Sequence, residues 1–98
     1  MIDVQGPTGA DRQRFAAIGR ALADPKRLCV LESLAEGELS VSELSVCVGC
    51  QVPNMSQHLA VLRSAGLVAT RRDGNTVYYR LADPRVLEAY RLIQTIAG

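Results

Sequence analysis

The 98 residues, 48% of them hydrophobic, allow one domain with one modest core. No apolar run approaches the ~20 residues of a membrane-spanning helix, and the opening MIDVQGPTGADRQRF lacks the basic start and apolar stretch of a secretory signal. Three cysteines, an odd number without a secretion signal, point to a reducing cytoplasm rather than a disulfide scaffold, and a net charge of +1 singles out no partner.

In chain order, residues 1–10 carry two glycines and a proline and read as a flexible arm. A single domain is expected over residues 11–98. From Asp11 the spacing Phe15, Ile18, Leu22 marks one apolar face of a helix over residues 11–23. Asp24-Pro25 is an N-cap and first-turn pair. The helix it opens buries Leu28, Leu31 and Leu34 and ends near Gly37. Ser42 caps the next helix, which turns Leu44, Cys47 and Val48 inward and stops at Gly49. Pro53 falls in the first turn of the following helix, with Met55, Leu59 and Leu62 inward and Ala65-Gly66 at its end. Val68–Arg72 and Val77–Leu81 are strand-like runs around Asp73-Gly74-Asn75. Asp83-Pro84 repeats the cap signal, and Val86, Tyr90, Ile93 and Ala97 form a last apolar stripe over residues 84–97. A short terminal helix with such a stripe needs a mate, either its own domain or a second copy of the chain.

Two helices joined by a tight turn over residues 42–65, followed by a hairpin over 67–82, follow the order of a winged helix-turn-helix. That architecture offers one exposed helix to the DNA major groove while the hairpin lies along the neighbouring backbone or minor groove. On the second helix the candidate DNA-binding residues are Asn54, Ser56, Gln57 and His58, with Arg63 in its last turn. On the hairpin they are Arg71, Arg72, Asn75 and Thr76. Asn and Gln pair bidentately with adenine, and Ser is tolerant, so the composition suits base readout. The same residues also suit a solvated helix face and an ordinary polar turn. Charge is distributed unevenly: residues 31–50 hold Glu32, Glu36, Glu38 and Glu43 with no basic residue, whereas residues 51–80 hold four arginines against Asp73. A basic face behind an acidic scaffold is the expected footprint of phosphate binding.

Four stretches together resemble the ArsR/SmtB family of bacterial repressors: Leu22-Ala23-Asp24-Pro25-Lys26-Arg27-Leu28, Ser56-Gln57-His58-Leu59-Ala60-Val61-Leu62-Arg63, Ala65-Gly66-Leu67-Val68, and Arg72-Asp73-Gly74-Asn75-Thr76-Val77-Tyr78-Tyr79-Arg80-Leu81. The similarity runs from about Phe15 to Ile96, with the motifs in the correct order. It implies a mainly α fold of about five helices with a two-stranded β-hairpin wing, dimeric through the terminal helices 11–23 and 84–97. It also implies a non-enzymatic repressor that leaves its operator DNA when an inducer binds.

The family's known metal sites have no counterpart in the residues. Where the arsenic- and cadmium-sensing type carries cysteines, this chain reads Glu38-Leu39-Ser40-Val41-Ser42, and serine hydroxyls do not replace soft thiolates. The zinc-sensing type uses Asp and His on the last helix, which here contains no histidine. No metal or other cofactor is therefore expected, save a soft metal or metalloid at the cysteines. Cys47 and Cys50 form a C-x-x-C that reads either as core residues or as a thiol sensor, with Cys29 as a third candidate. Two other classes fit parts of the sequence: a winged helix used only for protein contacts, and a thiol-disulfide protein built on the C-x-x-C.

Overall fold

The structure, a computed structural model, describes residues 6–98. Helix α1 spans Gly9–Ala21 and α2 Pro25–Ser33, the latter running into a 3₁₀ turn at Leu34–Glu36. Strand β1 (Leu39–Ser40) leads directly into α3 (Val41–Val48), which is followed by α4 (Val52–Ser64). Strands β2 (Val68–Asp73) and β3 (Thr76–Leu81) form the hairpin, and α5 (Pro84–Ala97) closes the chain. Among the described residues no helix is long and apolar enough to cross a membrane.

Local signals start each helix. Thr8 and Asp11 form a reciprocal capping box on α1, so residues 8–10, expected in an arm, instead cap and open the helix. Residues 1–5 of that arm lie outside the described residues. Asp24 caps α2 through the N–H groups of Lys26 and Arg27, and Asp83 caps α5 through that of Arg85. The cap of α3 is Ser40 rather than Ser42, because Glu43 sits three residues after Ser40 and completes a capping box there.

Leu31, Leu34, Leu44, Met55, Leu59, Leu62 and Val68 interlock in one core. On α3 the inward stripe is Val41, Leu44, Ser45 and Val48, an i, i+3, i+4, i+7 set. Cys47, expected inward, falls off that stripe and is exposed. The sheet has order β1-β3-β2, all antiparallel. The short β1, which pairs Leu39 with Tyr79, adds a third strand to the two expected. Asp73 pairs with Thr76 across a two-residue turn, and Gly74 takes the positive φ of 62° that a right-twisted hairpin demands there.

Helix α5 docks only by its first half. Val86 packs on the core and Tyr90 is buried, its hydroxyl donating to the Glu32 carboxylate on α2. Beyond Tyr90 the helix projects Leu92 and Ile96, 66% and 85% exposed, together with Ile93. Phe15 on α1 is 54% exposed.

Candidate nucleic-acid interface

The turn that aims α4 is held at both ends. Gly49 adopts a left-handed conformation at the end of α3, a backbone setting that suits glycine. Its N–H and that of Cys50 both donate to the Ser45 carbonyl, at 2.9 and 3.1 Å. The Lys26 ammonium, from the first turn of α2, donates to the Gly49 carbonyl at 3.3 Å. Met55, Leu59 and Leu62 then anchor α4 by its underside.

With that underside buried, Asn54, Ser56 and Gln57 face solvent on the first two turns of α4. In the later turns the exposed Ala60, Val61 and Ser64 border Ala17 and Arg20 of α1 across a shallow cleft. The N-terminal half of α4 lies outside that cleft with α1, and it is the half a recognition helix presents to base edges. Arg63 is exposed in the last turn.

His58 has a more confined place. It is half-buried, with Nδ1 3.3 Å from Nη1 of Arg27. A guanidinium only donates, so Nδ1 accepts and the ring proton of the neutral imidazole sits on Nε2. Only Nε2 is left for an outside partner. Arg27 also donates from Nε to the Ala21 carbonyl at 2.7 Å and from Nη2 to the Arg20 carbonyl at 3.0 Å. It thus satisfies carbonyls at the end of α1 while locking α4 to α2. Its role was missed in the sequence; the signal available was its place three residues after the Asp24 cap. The N–H groups of Lys26 and Arg27 hold the Asp24 carboxyl below the usual carboxylate range, against a larger single upward pull from desolvation.

On the wing the two adjacent arginines are not equivalent. Arg71 donates from Nε and Nη2 to Glu38 Oε1 at 3.0 and 2.9 Å, and its guanidinium lies 4.9 Å from the centre of the Tyr78 ring. That hydrogen-bonded pairing holds the Glu38 carboxyl down and the Arg71 guanidinium up. Among the described residues the ion pairs involve Arg14, Arg27, Arg71 and Arg85, but neither Arg63 nor Arg72. Arg72 is thus an uncommitted cation near the wing tip. Asn75 and Thr76 are exposed at that tip, and with Ser40 and Ser42 they line a cleft against the start of α3. The structure thus gathers Asn54, Ser56 and Gln57 on one free helix end, and Arg72, Asn75 and Thr76 on the wing.

The cysteines do not gather. Cys47 is exposed on the last turn of α3, whereas Cys50 lies beyond the left-handed Gly49, half-buried against the core. The two do not share a helical face, because the helix ends between them at Gly49. Cys29 is half-buried on α2. Among the described residues no three His, Cys, Asp or Glu side chains cluster as a metal site.

Residues 24–70 match the sequence model described as bacterial regulatory protein, arsR family. The nodulation protein NolR of Rhizobium meliloti is 40% identical over 88 residues, which cover 90% of this chain and 72% of NolR. The chain belongs to the ArsR family. Another family relative, the HTH-type transcriptional regulator KmtR of Mycobacterium tuberculosis, is 57% identical over 67 residues, 68% of this chain and 52% of KmtR. The chain thus spans about half the length of KmtR. Among solved structures, the homodimeric winged helix-turn-helix DNA-binding domain Mb0332 of Mycobacterium bovis superposes with a TM-score of 0.86 at 35% identity, covering 99% of this chain and 90% of that one. The chain thus shares both the family's sequence pattern and the winged helix-turn-helix architecture of that domain.

Proposed function

We propose that the chain is a cytoplasmic homodimeric repressor that reads a palindromic operator and leaves it when an inducer acts. The free N-terminal half of α4, with Asn54, Ser56 and Gln57 exposed above a buried apolar underside, carries this reading. Gln57 reads a base edge, and Arg72, Asn75 and Thr76 hold the flanking backbone. Dimerisation is supported by Phe15, Leu92, Ile93 and Ile96, an apolar set larger than isolated surface hydrophobics require. Selecting bound fragments from random DNA tests the proposal: an inverted repeat is expected, and recovery of no preferred sequence would overturn it.

For the inducer, the exposure of Cys47 favours a thiol-reactive agent (an oxidant, a sulfur species or a soft metalloid) over a resident metal. Modification there would fall two residues before Gly49, whose carbonyl accepts from Lys26, and so would disturb the aim of α4. A Cys47→Ser/Cys50→Ser double variant that binds DNA and still responds to oxidant, polysulfide and arsenite would remove the thiols from the account.

A further inference from the structure

We propose that Val52 sets operator specificity by packing its methyl groups on the C5-methyl of a thymine in the major groove, an inference that rests on the operator-binding reading above. Val52 is the first residue of α4, lies outside the core and is 46% exposed. Val52 stands three and seven residues before Met55 and Leu59, at the exposed end of their stripe, and is not among the residues packed on the core. Gln51, at the N-cap, makes no side-chain capping bond, and Pro53 needs no amide partner.

Position points to the groove. Val52 and Ser56 are four residues apart and share one flank of the helix, with exposed Gln57 next to Ser56. On the opposite flank, the half-buried His58 contacts Arg27 of α2. The later turns border α1. The exposed residues of the first two turns are therefore Val52, Pro53, Asn54, Ser56 and Gln57, with the aliphatic group at the edge of a face of hydroxyl and amide side chains. In the major groove the thymine methyl is the apolar feature among hydrogen-bonding edges, so it is the complement of an exposed valine.

The probe is the selected operator with single thymines replaced by deoxyuridine, which lacks only the methyl. Losing one buried methyl contact should weaken wild-type binding about fourfold, and about fifteenfold when the symmetric thymine is replaced as well. Val52→Ala should bind the unmodified operator more weakly and be indifferent to uracil at that position, while keeping its response elsewhere. Because Val52 lies outside the core, the variant's circular dichroism and melting temperature should match wild type. A Val52→Ala protein with the wild-type uracil pattern, or a wild type with no sensitive thymine, would overturn the assignment and leave operator binding standing. Failure to select any specific DNA would overturn both.

Discussion

Arg71 and Arg72 are neighbours in sequence, but their engagement in the free protein predicts different weights in DNA binding. Each lysine or arginine that neutralises a phosphate contributes about −0.9 to the slope of log K against log salt. In a dimer, Arg72→Ala removes two such contacts, so the slope should become shallower by about 1.8. Between about 50 and about 200 mM salt, wild type should then lose roughly twelvefold more affinity than the variant. Arg71 begins with two of its N–H donors committed to Glu38 at 2.9 and 3.0 Å. Its charge is already offset, so Arg71→Ala should change the slope by less than half as much. Glu38→Gln should release Arg71 and steepen the slope, by about 1 across the dimer. In the Glu38→Gln/Arg71→Ala protein that gain should vanish. Fluorescence anisotropy with a labelled operator across a salt series measures all four. Equal slope changes for the two arginine variants, or a Glu38→Gln protein with an unchanged slope, would refute this division of labour.

Other consequences concern stability and assembly. Leu59 is fully buried under α4, so Leu59→Ala should cost about 2–5 kcal/mol in urea unfolding with little change in base preference; a loss under about 1 kcal/mol would contradict its place in the core. Bonds from Arg85 hold the Asp83 carboxyl at about 2, below its ordinary 3.8. A depressed folded-state value means that its contribution is present above the unfolded value and is lost as pH falls through about 4 towards 2. Asp83→Asn should therefore flatten that part of the pH dependence of the urea midpoint, and an unaltered acid limb would reject the assignment. Replacing Leu92 and Ile96 together by glutamate should leave the fold intact, since both side chains are exposed, but convert dimer to monomer in sedimentation velocity. A double variant that remains dimeric would place the interface elsewhere.

The sequence revealed the order of elements because local chemistry states it: Asp-Pro caps open α2 and α5, and Gly74-Asn75 turns the hairpin. The apolar positions of α4 were legible for the same reason, as one unbroken stripe of Met55, Leu59 and Leu62. Less legible were features set by elements distant in the chain. The Arg71–Glu38 pair joins residues 33 apart and Arg27–His58 residues 31 apart, so periodicity could not reveal either. On α3 an apolar cysteine and a small serine lie two positions apart, and residue type favoured burying the wrong one. The stop at Gly49 was legible in the sequence, and it leaves Cys50 beyond the helix that carries Cys47.

The central claim, that the free half of α4 reads bases as part of a dimer, is tested most directly by footprinting wild type and Gln57→Ala on the selected operator at matched occupancy. Two half-sites with centres about 10 bp or a multiple apart are expected, with Gln57→Ala weakening binding by ~1–3 kcal/mol at particular base pairs in each. A footprint with base preferences unchanged by Gln57→Ala, or protection of a single half-site by one protomer, would contradict it.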